Sequence, residues 1–216
     1  MSLGVLRPAG AVEAQGLAAY LQRVVALDGR AAVRLQVRGT VLGVWAGPPF
    51  DVLALRPVAL AEPAELDVTV SGQRLLESLG IALGDEFPVP ASVTGPSWAG
   101  LLPPRSGWTQ IGRVSVESLN ASVASGVTSF RAKAESVPEA ERSADRLDQW
   151  AREVWRTPVV GGIPLRAAHA ADRLGLLGPD GDAVAWQSGT WRRLAVPGGS
   201  VALRDLDVPG LSMLFG

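Results

Sequence analysis

Val12 to Trp45 reads VEAQGLAAYLQRVVALDGRAAVRLQVRGTVLGVW, and the period of its apolar residues changes once along the way. Leu17, Tyr20, Leu21, Val24 and Val25 recur at the three- and four-residue spacing of one helix face, and Asp28-Gly29 supplies a stop. Val33, Leu35 and Val37 then alternate with Arg34, Gln36 and Arg38, the period of a strand with one wet face. Thr40 to Trp45 and Val52 to Leu60 continue in β fashion on either side of Gly47-Pro48-Pro49, which predicts a three-stranded meander. Pro57 makes the third strand an edge or interrupts it, because proline donates nothing to a ladder. Leu66 to Val70 adds a short strand, and Ser71 and Gly80 bracket a brief helix from Gly72 to Leu79.

Between Phe87 and Thr109 stand Pro88, Pro90, Pro96, Pro103 and Pro104, with Gly95, Gly100 and Gly107 among them. That density suits neither helix nor sheet. Trp98, Leu101, Leu102 and Trp108 are too apolar to be left in water, so the segment reads as an ordered connection laid over the surface. It divides the chain into residues 1–96, a helix plus an antiparallel β-meander, and residues 97–216, two lobes that can also pack as a single domain.

In the second lobe Val116, Leu119, Val123, Val127, Phe130 and Ala134 share a helix face. After a short break, Pro138 opens a second helix on which Ala140, Ala144, Leu147, Ala151 and Val154 keep a seam spacing. So short a connection predicts an antiparallel αα-hairpin. Pro158 to Val160 suits a short strand, Gly161-Gly162 a turn, and Ile163 to Leu174 a third, short helix. Ala183 to Gln187 and Thr190 to Ala195 flank Ser188-Gly189 as a β-hairpin, a register that sets Trp186 opposite Trp191. The fold class is α+β.

Composition narrows the chemistry. The 216 residues are 47% hydrophobic, enough for a full core without staples, and a net charge of -1 gives no global field favouring nucleic acid or anionic lipid. Cysteine is absent, so thiolate nucleophiles, thiolate metal sites and disulfides are excluded. Polar residues Glu13, Gln15 and Gln22 interrupt the first apolar stretch, which reads as neither signal peptide nor membrane span and places the protein in the cytoplasm.

Candidate sites are few. His169 is the one histidine, with Asp172 and Arg173 a helical turn away, but no nucleophile stands at a fixed spacing from it, and no residue is assigned a catalytic role. Asp180-Gly181-Asp182 lacks the other ligand positions of a calcium loop and Gly161-Gly162 lacks a phosphate fingerprint, so no metal and no cofactor is expected. Trp98, Arg105 and Trp108, two indoles and a guanidinium on a proline-stiffened loop, are the candidate binding residues. These features favour a non-catalytic cytoplasmic protein that works by protein association, with itself as a homodimer or with another protein. One alternative is a winged-helix-like nucleic-acid binder using Arg166 and Arg173 on the third helix and Arg192 and Arg193 on the hairpin, although Asp172 beside them and the overall charge disfavour it. A further alternative is a carboxylate-dependent or small-ligand enzyme with a site between the lobes, for which Asp51, Asp67, Asp85 and Glu86 are the acids to follow.

Overall fold

The alternation that begins at Val33 runs on past Gly39 instead of turning there. In the computed structural model, which describes residues 3–81, 86–138 and 143–204, the expected meander is two long strands. The elements are β1 (Val5–Leu6), α1 (Ala11–Leu27), β2 (Ala32–Ala46), β3 (Leu53–Ser71), α2 (Gly72–Ile81), β4 (Phe87–Pro88), a 3-10 turn at Ser97–Gly100, β5 (Thr109–Ser115), α3 (Val116–Glu135), α4 (Ala144–Trp155), β6 (Pro158–Val160), β7 (Ile163–Pro164), α5 (Leu165–Arg173), β8 (Asp182–Ser188), β9 (Trp191–Val196) and β10 (Gly199–Arg204). The fold is α+β with antiparallel pairing throughout.

β2 and β3 pair from Ala32↔Ser71 to Ala46↔Ala54, with one irregularity between Gly39 and Val41. There Thr40 alone opposes Leu60–Pro63, and the displaced stretch of β3 bonds residues 7–9 instead: Ala9 N–H donates to the Ala59 carbonyl and Ala61 N–H to that of Arg7. A bulge of this kind bends the strand without ending it. Pro57 lies inside β3 opposite Gly43, beyond the point where β10 stops pairing at Leu55, so its missing N–H faces no third strand.

Six strands in the order β2-β3-β10-β9-β8-β5 form the main sheet. Because β10 pairs with β3, through Ser200↔Leu55 to Ala202↔Leu53, the sheet is continuous from the first half of the chain to the second. One face carries Val33, Leu35, Leu42, Val44, Ala54, Ala185, Leu194 and Val201, all buried under the helices. Each valine or leucine among them contributes about 1.5–3 kcal/mol by leaving water. α1 packs on β3 and α2, α5 on β9 and β10, and α3 on α4 and α5.

The opposite face is crossed by the proline-rich connection. Val93 N–H donates to the Thr69 carbonyl, Arg34 donates to the Ala99 carbonyl, and the Ser188 hydroxyl donates to the Ser106 carbonyl, so residues 92–108 track across the sheet from β2–β3 to β8–β9.

Several local expectations shift. The second helix of the hairpin begins at Ala144, where the Ser143 hydroxyl accepts from Arg146 N–H, and Pro138 is outside it. Residues 139–142, including Ala140, lie outside the described residues. Ile163-Pro164 is not helix but a strand returning on β6, and Gly161-Gly162 between them has φ 54° and 72°, the left-handed pair that a two-residue hairpin turn requires. The β8–β9 turn is Gly189-Thr190, one residue later than Ser188-Gly189. Trp186 therefore stands opposite Arg193, and Trp191 opposite Ser188.

Candidate functional site

The β2–β3 turn, Gly47 to Val52, projects beyond the sheet and forms one wall of an open cleft of about 1040 Å³. Pro48, Pro49, Val52 and Leu53 come from the turn, Trp98 and Leu101 from the crossing connection, Trp191 from β9, and Ala202 and Leu203 from β10. Gly47 has to be small here, because a Cβ would lie 2.7 Å from the Trp98 indole nitrogen. The polar rim is Arg156 after α4, Arg166 on α5 and Arg204 at the end of β10, against Asp51 as the one acid of the lining among the described residues. The Nε of Arg166 is buried and has no hydrogen-bond partner among the described residues. The cleft thus combines an apolar floor, two half-buried indoles and an excess of guanidinium groups, a set suited to an extended apolar segment that also bears carboxylates.

His169 lies beside it. Its ring stacks on Trp155 at 4.4 Å and meets the edge of Phe50 at 5.4 Å, so one imidazole joins α4, α5 and the β2–β3 turn. Burial between these rings lowers its pKa from 6.5, opposed by the Asp172 carboxylate and aided by Arg173. Since the folded value is below the unfolded one, the unfolded chain takes up the proton first as pH falls. Stability should be flat above about pH 7 and decline as pH drops below 6.5. His169→Gln should remove that decline in pH-dependent melts and leave the separate loss at lower pH. Asp67 contributes to that second loss because its pairing with Arg34 holds its carboxyl below the usual value of 3.8.

The three loop residues have different surroundings. Trp98 lines the cleft, whereas Arg105 is exposed and near enough to Asp67 to help hold it ionised. Trp108 is half-buried outside the cleft lining, its indole N–H donating to the Pro104 carbonyl at 2.8 Å and its ring capped at 4.3 Å by Arg193, which stands opposite Ala202 in the β9–β10 pairing. Trp186 lies on the same guanidinium at 5.9 Å. Trp108→Ala should therefore cost about 2 kcal/mol, roughly half the loss for a fully buried indole. Trp98→Ala, whose ring borders open space, should cost about 1 kcal/mol. Thermal melts of the two variants check the ordering.

The four arginines of the winged-helix reading are likewise dispersed. Arg166 is in the cleft, while Arg173 lines a different, polar pocket with Arg23, Asn120, Thr128 and Asp172. Arg192 donates to the Gly162 carbonyl at 2.6 Å and Arg193 is spent on Trp108. The hairpin is not a free wing, because its strands are the interior of a six-stranded sheet. The acids also stay apart: Asp51 is at the cleft, Asp67 is bonded to Arg34 and Gln36 on the outer sheet face, and Glu86 pairs with Arg7. Asp85 lies outside the described residues. Among the described residues no group of three or more potential metal ligands converges, and no helix is long and apolar enough to cross a membrane.

The fold is similar to that of bacterial DNA polymerase sliding clamps. The chain is similar to the β subunit of DNA polymerase III from Pseudomonas aeruginosa, at 13% identity and a TM-score of 0.55 over 98% of this chain and 67% of that one. It is also similar to the sliding clamp of Bartonella birtlesii bound to griselimycin, at 11% identity and a TM-score of 0.57 over 93% of this chain and 66% of that one. The clamp of Caulobacter crescentus matches at 12% identity and a TM-score of 0.55, with 98% and 68% covered. The chain thus spans about two-thirds of the length of these clamps. At the level of sequence, residues 1–100 match the family model of a domain of unknown function, DUF8010, and residues 103–207 match a second, DUF8185. No curated protein matches the chain.

Sequence marked Trp191 only as a hairpin partner of Trp186, and did not single out Arg156 or Arg204. Each comes from a different element, and only the pairing of β10 with β3 brings them to the β2–β3 turn.

Proposed function

We propose that this is a non-catalytic, cytoplasmic protein-association module of clamp-like fold, working through the cleft around the β2–β3 turn. The observation that carries the reading is the lining itself: Trp98 and Trp191 over an apolar floor, with Arg156, Arg166 and Arg204 against Asp51 among the described residues. Aromatic and arginine side chains concentrate binding energy at protein interfaces, and an Arg166 nitrogen buried without a partner favours a ligand that brings an acceptor. Self-association into a homodimer is one form this activity takes.

A fluorescein-labelled peptide of alternating leucine and aspartate is the test probe. Binding to the chain should be saturable, and Trp191→Ala or Trp98→Ala should weaken it at least tenfold while the fold stays intact by circular dichroism. Binding unchanged in both variants would defeat the cleft as docking site.

Nucleic acid is the second reading, favoured by the likeness to sliding clamps of DNA polymerase. Charge on the helices opposes it. Their eight basic residues, including Arg23, Arg131, Lys133 and Arg173, are matched by eight acids, including Glu117, Asp145, Asp148 and Glu153. A helix face that neutralised phosphates would need a net excess of cations. We expect no retardation of duplex DNA at low salt; a shift that weakens steeply with salt and is lost in Arg166→Ala/Arg173→Ala would restore this reading.

A further inference from the structure

Residues 205–216 read DLDVPGLSMLFG and follow directly on Arg204, itself part of the cleft rim. Leu206, Val208, Leu211, Met213, Leu214 and Phe215 are apolar, Asp205 and Asp207 carry the charge, and there is no Lys, Arg or His. Such a segment left in water exposes a dense run of apolar side chains, the composition of a docking segment and not of a solvating one. The cleft presents the complement, with an apolar floor and, among the described residues, two indoles and three guanidiniums against one carboxylate. Resting on the docking reading above, we propose that the occupant of the cleft is residues 205–216 of this same chain.

Charge and apolar content set how the two would meet. Asp205 and Asp207 match the guanidiniums of Arg156 and Arg166, and the Arg166 Nε gains the acceptor it lacks among the described residues. The apolar residues from Leu211 to Phe215 match the floor between Trp98, Trp191 and Pro48. Twelve residues span up to about 40 Å when extended, enough to reach the cleft of the molecule that carries them, whose rim includes Arg204. Seated there, the segment is a built-in competitor for any other acidic, apolar segment.

The test compares the full chain with one ending at Arg204, using a fluorescein-labelled peptide of residues 205–216 as the probe. The shortened chain should bind the peptide saturably, with a change in tryptophan emission. Arg166→Glu in that chain should weaken binding at least tenfold, and the full chain should bind the peptide less tightly than the shortened one because its own segment competes. Should the shortened chain fail to fold, Leu214→Ser/Phe215→Ser in the full chain serves instead and should raise peptide affinity in the same way. Competition independent of protein concentration is the expected result, and competition that grows with concentration, which would seat the segment in a second copy, overturns its assignment to its own cleft. A shortened chain that binds the leucine-aspartate probe but ignores the 205–216 peptide overturns this inference and leaves the docking reading standing. One that binds neither overturns both.

Discussion

Gly199→Ala is expected to destabilise the protein more than any single change at its surface. Gly199 opens β10 with φ 155°, and a Cβ there would fall on the Leu55 carbonyl of β3, the strand through which the two halves share one sheet. The clash is with backbone, so no side-chain rotation relieves it. Backbone strain and overpacking together should cost about 3 kcal/mol or more, which lowers Tm by about 6–12 °C in a chain of this size. Gly10→Ala is the control: its φ of 161° is ordinary extended backbone and nothing lies within 4 Å of the added carbon. It should stay within about 0.5 kcal/mol of the parent. Equal melting of the two variants would show that the β3–β10 junction does not hold the halves together.

Arg166→Glu should have the largest effect on association. It replaces a half-buried guanidinium, whose Nε has no partner among the described residues, with a carboxylate in the same cleft as Asp51, so an acidic segment meets like charge where it would have met an acceptor-seeking donor. Losing a charge-assisted contact and gaining repulsion in a partly desolvated site is worth about 3 kcal/mol or more, at least a hundredfold in Kd. The fold should be unaffected, since Arg166 makes no ion pair among the described residues. Isothermal titration with the leucine-aspartate peptide reads the loss, and a parent-like Kd would remove Arg166 from the interface.

The helices were legible because their apolar faces are local and periodic. Leu17, Tyr20, Leu21 and Val24 are all buried as their spacing implies, and so are Leu119 and Val123. The strands misled where the signal is not local. Gly39 has φ 57° and resembles a turn in sequence, yet the strand continues because Leu60–Pro63 finds partners in residues 7–9, some fifty residues away. A one-residue error in the β8–β9 turn had a larger consequence, since pairing register decides which side chains face each other. It exchanged the expected indole pair for Trp186 against Arg193 and left Trp191 free to line the cleft.

The site was legible only in fragments. Trp98 stood out as an aromatic on a stiff loop, but Gly47-Pro48-Pro49 carried no signal beyond that of a turn, and no local pattern marks Arg156 or Arg204. What unites them is the continuous sheet, a long-range property that no window of sequence contains. His169 shows the same limit: its helical neighbours Asp172 and Arg173 were visible, whereas Trp155 and Phe50, which bury its ring, come from other elements.

The most direct test of the docking cleft is the set of indole N–H resonances in the ¹H–¹⁵N spectrum. There are seven tryptophans. Two of them, Trp98 and Trp191, line the cleft, while Trp108 and Trp186 lie with Arg193 outside its lining. Titration with the leucine-aspartate peptide should move the Trp98 and Trp191 signals progressively and leave those of Trp108 and Trp186 in place. Shifts confined to Trp108 and Trp186, or no shift at saturating peptide, would contradict the assignment of the cleft as the docking surface.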